Sequence, residues 1–149
     1  MAVQKLNLRG ASRYSGNSIG VRALSWSVLI VDDEPGTREL LRLMLEFAGY
    51  DVYQAEDGLD ALEKIKQMQP DVVLLDVMMP HMDGLEVCRH LRSDPATVEL
   101  PVIMVSAKIQ VDAIREGLDA GANRYLTKPV SRTNLLETIR EVLTPLFTV

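Results

Sequence analysis

Short apolar runs alternate along the chain with stretches in which apolar residues recur every three or four positions. The runs at residues 28–31, 72–75 and 102–105 are continuous and rich in β-branched side chains, which is typical of strands buried on both faces of a sheet. Residues 51–55 and 124–127 form two more polar segments, and they are predicted to be short strands, the first at a sheet edge.

The stretches that follow the five predicted strands have the spacing of amphipathic helices. Gly49 and Gly121 are predicted to end the first and fourth helices, Pro70 stops the second, and Ser131 caps the fifth. Strands that alternate with helices predict βαβ units and a doubly wound parallel α/β sheet with helices on both faces. The apolar residues assigned to the five helices are Leu40, Leu41, Met44, Leu45 and Phe47; Ala61, Leu62, Ile65 and Met68; Leu85, Cys88 and Leu91; Val111, Ile114 and Leu118; and Leu135, Leu136, Ile139, Val142 and Leu143.

Length and composition restrict the class of protein. The 149 residues, of which 47% are hydrophobic and 25% charged, suit one globular domain. The apolar runs are far shorter than the roughly 20 residues of a membrane span, and no signal peptide is evident. A single cysteine, Cys88, fits a reducing compartment, so we expect a cytoplasmic protein without membrane contact.

Charge is distributed unevenly along the chain. Residues 1–31 contain four basic and no acidic residues, whereas residues 32–149 contain 12 basic and 21 acidic residues. The acidic body argues against direct nucleic-acid binding by the folded domain. Residues 1–26 are predicted to be a basic, flexible extension with one short ordered piece near 21–26. The domain itself is predicted to span residues 27–145, and a tail to span 146–149.

Polar side chains follow four of the five predicted strands. The acids of residues 32–34 follow the first strand and Asp76 follows the third, while Ser106 ends the fourth and Lys128 follows the fifth. Because neighbouring parallel strands are about 4.8 Å apart and end at the same edge, we expect these side chains to share one pocket.

This set of side chains indicates a particular chemistry. Ionised carboxylates that crowd together raise one another's pKa values, and a divalent cation such as Mg²⁺ relieves the repulsion. An ammonium and a hydroxyl beside the metal suit the oxygens of a phosphoryl group, and a nearby carboxylate can attack phosphorus to form an acyl phosphate. The sequence therefore predicts phosphoryl transfer onto an aspartate.

Four strings carry a resemblance to a known family: VLIVDDEP; VVLLDVMMP followed by HMDG; PVIMVSA; and YLTKP. In this order and spacing they resemble the receiver domains of two-component response regulators, over roughly residues 27–145. The resemblance implies a three-layer fold with a five-stranded parallel sheet of strand order 2-1-3-4-5 and five helices.

The resemblance also assigns the metal site and the phosphoacceptor. It implies that Asp76 accepts the phosphoryl group. Asp32 and Asp33 are expected to bind Mg²⁺ together with Asp76, and the backbone carbonyl of Met78 is expected to complete the protein's share of the coordination.

Three further positions match the family's switch and phosphoryl-binding residues. Ser106 matches the switch hydroxyl, Tyr125 the aromatic residue that moves inward after phosphorylation, and Lys128 the lysine that contacts the phosphoryl group. The Lys128-Pro129 bond is expected to be cis, and Gly84 is expected to form the tight turn behind the phosphorylation loop.

The function implied is a signalling switch rather than a turnover enzyme. The phosphate donor is expected to be a sensor histidine kinase or a histidine phosphotransfer protein. The switch is expected to be read on the surface of the fourth helix, fifth strand and fifth helix, by a downstream effector or by an output domain beyond Val149. A homodimer stays open, because Asn123 and Arg124 replace acids that receivers attached to winged-helix domains often carry.

Two other functions are compatible with parts of the pattern. One is a Mg²⁺-dependent phosphatase with an aspartyl nucleophile, similar to haloacid dehalogenase-type enzymes. Such enzymes place a second acid two residues past the nucleophile, where this chain has Met78. The other is a phosphate-independent interaction module on the receiver fold, which would not require the complete set of acids.

Overall fold

Five strands and five helices alternate along residues 25–144, the part of the chain that the computed structural model describes. The predicted flexible leader, its ordered piece and the tail at 146–149 lie outside these residues, apart from Ser25 and Trp26. The strands are β1 (Ser27–Val31), β2 (Asp51–Ala55), β3 (Val72–Leu75), β4 (Val102–Ser106) and β5 (Arg124–Thr127). The helices are α1 (Pro35–Phe47), α2 (Gly58–Met68), α3 (Gly84–Ser93), α4 (Val111–Asp119) and α5 (Arg132–Leu143).

All strand pairs are parallel, and the strand order is β2-β1-β3-β4-β5, which confirms the predicted sheet. Val31 at the end of β1 is in register with Ala55 on one side and Leu75 on the other. Ser106 at the end of β4 pairs with Thr127 of β5. The strands therefore end together, and the residues that follow them meet at one edge of the sheet.

The sheet separates two apolar layers. Successive side chains of a strand point to opposite faces, and β1 is buried on both. Leu29 and Val31 pack into the layer formed with α2 and α3, whereas Val28 and Ile30 pack into the layer formed with α1 and α5. Burial on both faces explains why the apolar run of β1 is continuous rather than alternating.

The predicted helix ends are confirmed. Gly49 and Gly121 have φ values of +97° and +116°, in the left-handed region that favours glycine at a helix C-terminus. The Ser131 side chain accepts a hydrogen bond from the backbone N–H of Asn134 at 3.1 Å and so caps α5. The second helix ends at Met68, two residues before Pro70.

Five residues assigned to the apolar faces of helices are exposed to solvent, among them Met68 of α2, which is 37% exposed. Leu40 and Phe47 of α1 are 55% and 87% exposed, because Leu41 and Leu45 occupy the side that faces the sheet. In α4, Val111 and Leu118 are 69% and 44% exposed. Across residues 25–144, every helix is too short or too polar to cross a membrane.

Candidate functional site

The two central acids extend the hydrogen-bond ladders of adjacent strands. Asp32 directly follows β1 and its backbone N–H donates to the carbonyl of Ala55 at 3.2 Å. Asp76 directly follows β3 and its N–H donates to the carbonyl of Val31 at 2.9 Å. The backbone thus fixes both residues at neighbouring positions on the rim of the sheet.

Three carboxylates cluster at this rim, as the sequence predicts. One oxygen from each of Asp32, Asp33 and Asp76 lies within 4.8 Å of the others. Asp32 and Asp76 are only 2% and 6% exposed, whereas Asp33 is exposed. Burial and the nearby charge of Asp32 raise the pKa of Asp76 above its ordinary value, although Lys128 partly offsets this.

Lys128 bridges the two buried acids. Its Nζ atom lies 2.7 Å from Oδ2 of Asp32 and 3.4 Å from Oδ2 of Asp76. Burial opposes the charge of the ammonium, but the hydrogen bond to Asp32 and the charge of Asp76 outweigh it, so the pKa of Lys128 is raised. The Lys128-Pro129 peptide bond is cis, as expected.

Ser106 is fully buried, and two of its oxygen atoms accept hydrogen bonds from backbone N–H groups. Its carbonyl accepts a hydrogen bond from the N–H of Lys128 at 2.9 Å, and its Oγ accepts one from the N–H of Lys108 at 3.2 Å. The carbonyl of Lys108 in turn accepts a hydrogen bond from the hydroxyl of Tyr125 at 2.8 Å. One residue of the β4–α4 loop therefore connects the two predicted switch residues.

The Tyr125 ring packs against the apolar layer on the α2 and α3 side of the sheet, next to Gly117 of α4. A Cβ atom on Gly117 would lie 2.9 Å from Cδ2 of the ring, which is closer than side chains normally approach. Glycine at this position therefore leaves the space that the ring occupies.

The loop after Asp76 folds back tightly onto the acid. The N–H of Met78 donates to Oδ1 of Asp76 at 3.2 Å, while the Met78 side chain is 52% exposed. The N–H of Gly84 donates to the carbonyl of Val77 at 3.0 Å, as expected of a tight turn behind the loop. The carbonyl of Met78 as a metal ligand stays a prediction.

Glu34 was grouped with the pocket acids from the sequence, but it is not one of the clustered carboxylates, and the contacts of Arg38 were not predicted. Glu34 caps α1 by accepting hydrogen bonds from the backbone N–H groups of Gly36 and Thr37, at 3.0 and 2.8 Å. A hydrogen bond from the Thr37 hydroxyl and these two backbone bonds lower the pKa of Glu34. Arg38 donates to the backbone carbonyl of Asp32 at 2.6 Å. The sequence signal for this contact is an arginine one turn into the helix that directly follows the acids.

The donor set fits a hard divalent cation. Oxygen ligands suit Mg²⁺, and burial together with the close approach of Asp32 raises the pKa of Asp76, an effect that a bound cation would oppose. Asp32, Asp33 and Asp76 are therefore the residues that would hold the ion.

Fold and site together define a doubly wound α/β domain with an acidic, lysine-containing site at the carboxyl ends of its strands. The family model described as "Response regulator receiver domain" matches residues 28–140. The chain therefore belongs to the response regulator receiver domain family. Receiver domains are signalling domains.

Individual relatives agree with this assignment. The chain is 43% identical over 116 residues to RpaA of Synechocystis, a "DNA-binding dual master transcriptional regulator", and 48% identical over 116 residues to the response regulator MprA of Mycobacterium sp. strain KMS. These matches cover 78% of this chain but 48% and 50% of the relatives, so the chain spans about half of their length.

Solved structures show the same fold. The chemotaxis protein CheY4 of Vibrio cholerae is 34% identical with a TM-score of 0.75, and the match covers 79% of this chain and 98% of that one. A CheY-like receiver domain protein of Methanospirillum hungatei is 31% identical with a TM-score of 0.75, covering 81% and 95%.

Proposed function

We propose that this receiver domain is a switch controlled by phosphorylation of Asp76. The phosphate donor is the phosphohistidine of a sensor histidine kinase or a histidine phosphotransfer protein. The observation that carries the proposal is the position of Asp76, which lies against the carboxylate of Asp32 and within 3.4 Å of the Lys128 ammonium. An isolated structural aspartate does not need these two neighbours.

The transfer forms one bond to phosphorus and breaks another. A carboxylate oxygen of Asp76 attacks phosphorus, the P–N bond to the donor imidazole breaks, and the electron pair of that bond returns to the imidazole nitrogen. Asp32, Asp33, Asp76 and the Met78 carbonyl would hold Mg²⁺, which would supply positive charge to neutralise the phosphoryl oxygens. Later hydrolysis by water regenerates the carboxylate and releases phosphate.

Lys128 and Ser106 are proposed to bind the transferred group. The ammonium of Lys128 already lies between Asp32 and Asp76, so a small movement would bring it to a phosphoryl oxygen on Asp76. The Ser106 hydroxyl is held on the adjacent strand end, and its reorientation would affect Tyr125 through Lys108. This is the two-state element through which phosphorylation would be read.

The switch acts on a protein partner or on an output domain rather than through turnover of a substrate. RpaA is named as a DNA-binding regulator, and this chain matches 48% of it. We therefore propose that the receiver spans residues 27–145 and controls a separate effector or an attached output. It works in the cytoplasm and does not bind nucleic acid directly. Partners recognise its phosphorylated state on the surface of α4, β5 and α5, and a homodimer would use the same surface.

Labelling with acetyl phosphate tests the proposal. The full chain is incubated with acetyl phosphate and MgCl₂, and the covalent phosphoryl group is detected by intact-mass spectrometry. We expect labelling of the parent that requires Mg²⁺, no labelling of Asp76→Asn, and normal labelling of the control Asp112→Asn, which changes an exposed acid of α4. Persistent labelling of Asp76→Asn would contradict the assignment of the phosphoacceptor.

A further inference from the structure

Arg38 connects the acidic loop after β1 to the strand at the edge of the sheet. Its Nη1 atom donates to the backbone carbonyl of Asp32 at 2.6 Å, and its Nε atom donates to Oε1 of Gln54 at 3.2 Å. Arg38 lies near the start of α1 and Gln54 lies in β2. The half-buried Arg38 side chain therefore links α1 and β2 to the peptide group between Asp32 and Asp33.

That peptide group links two of the three clustered acids. The Asp32 carbonyl is followed directly by the N–H of Asp33, so rotation of the peptide would move both carboxylates relative to Asp76. A second restraint acts on the side chain of Asp32, whose Oδ1 accepts a hydrogen bond from the N–H of Glu34 at 2.9 Å. Arg38 supplies the corresponding restraint on the backbone.

The chemistry of arginine suits this position. A guanidinium group is planar and permanently charged, and its donors have a fixed arrangement that can bind two acceptors at once. Here it bonds to the backbone carbonyl of Asp32 and not to the carboxylate oxygens of that residue. It therefore places a positive charge beside the acids without competing for their metal-binding atoms.

We propose that Arg38, held by Gln54, is a positioning residue that orients Asp32 and Asp33 for binding Mg²⁺. The inference rests on the function proposed above, in which these acids and Asp76 hold the ion. Replacing Arg38 should therefore weaken Mg²⁺ binding more than it lowers the free energy of unfolding. The reason is that the contact orients ligands rather than filling the core.

Calorimetric titration of the full chain with MgCl₂, without a phosphate donor, tests this consequence. Loss of a residue that orients a ligand typically weakens metal binding by about tenfold or more, and we expect this for Arg38→Ala. Arg38→Lys keeps the charge but has a shorter side chain and one nitrogen in place of the two that make these bonds, so we expect a smaller loss. The matched control is Arg42→Ala on the same helix, which removes an arginine that pairs with the exposed acids Glu39 and Glu46. This control should bind Mg²⁺ as the parent does.

Gln54→Ala provides an independent variant, because it retains Arg38 and removes a single hydrogen-bond partner. We expect it to weaken Mg²⁺ binding in the same direction as Arg38→Ala but less, and it decides the question if Arg38→Ala does not fold. Parental affinity in Arg38→Ala, or in both Gln54→Ala and Arg38→Lys, would overturn the inference. If Asp32→Asn abolishes binding in the same series, the proposed metal site itself still stands.

Discussion

Gly84 lies directly against the backbone carbonyl of Asp76. A Cβ atom on Gly84 would be 2.2 Å from that oxygen, a distance that no side chain can adopt without moving the backbone. This carbonyl directly follows the hydrogen-bond ladder at the end of β3, where the N–H of Asp76 donates to the carbonyl of Val31. The loop that begins at Asp76 therefore returns so closely that Gly84 is required by space and not by an unusual backbone angle.

Gly84→Ala is expected to displace this loop and the Asp76 side chain with it. Overpacking of this kind costs about 1–3 kcal/mol of unfolding free energy, which denaturant titration would measure. We also expect slower labelling by acetyl phosphate at saturating Mg²⁺. The control is Gly36→Ala, whose Cβ atom would approach the flexible side chain of Glu34 at 3.0 Å. Equal stability of the two variants would contradict the steric explanation.

The raised pKa of Asp76 predicts that removing its charge stabilises the fold. Because the pKa is raised in the folded state, the stability that Asp76 contributes is fully present below its ordinary pKa and is lost as the pH rises through the raised value. Asp76→Asn avoids this loss. It should therefore unfold at a higher temperature than the parent at neutral pH, and the difference should shrink as the pH falls toward the ordinary pKa of aspartate.

Thermal unfolding in EDTA across this pH range is the appropriate measurement, since bound metal would mask the repulsion. A gain of about 1 kcal/mol would raise the melting temperature of a domain of this size by about 4 °C. Asp112→Asn, at an exposed position, serves as the control. If the parent is instead more stable than Asp76→Asn at neutral pH, the contact with Lys128 outweighs burial and the repulsion from Asp32.

The hydrogen bond from Tyr125 to the carbonyl of Lys108 predicts a measurable anchor for the β4–α4 loop. Tyr125→Phe removes the bond but keeps the ring, and we expect a loss of about 0.5–1.5 kcal/mol of unfolding free energy. Hydrogen exchange should become faster at the N–H of Lys108, which donates to Ser106. Unchanged exchange at Lys108 would argue that the loop is held independently of Tyr125.

Gly117→Ala tests the same anchor through the Cδ2 and Cε2 atoms of the ring. The added methyl group would press on the ring, so we expect the Tyr125 hydroxyl to leave Lys108 and the loop to exchange faster, as in Tyr125→Phe. If both substitutions act through this single contact, the double variant should lose less stability than the sum of the two single variants.

The acidic pocket was predictable because its residues directly follow apolar runs. Burial on both faces made β1 and β3 recognisable, and parallel strands necessarily bring Asp32 and Asp76 to one edge. The function of Arg38 was not predictable in the same way, because its partner is a backbone carbonyl whose direction depends on the loop. The exposure of Phe47 was also missed, since helical spacing alone does not specify which side of a helix faces the sheet.

Met78 is expected to slow hydrolysis of the phosphorylated domain. Its N–H bonds to Asp76, and its apolar side chain is 52% exposed, so the side chain can border the path of a water molecule that attacks the acyl phosphate. Met78→Asn introduces a side chain that can hydrogen-bond this water, and we expect the phosphoryl group to be lost several-fold faster. Met68→Asn on α2, which changes a 37% exposed methionine, should have the parental lifetime.

The lifetime is measured by intact-mass spectrometry after acetyl phosphate is removed, at a fixed MgCl₂ concentration. The labelling rate of Met78→Asn must be recorded in the same experiment, because a change in Mg²⁺ affinity would alter formation and hydrolysis together. Faster hydrolysis with unchanged labelling supports shielding of the acyl phosphate by the methionine side chain. Loss of phosphate no faster than in the parent shows that attacking water reaches phosphorus by a path that Met78 does not border.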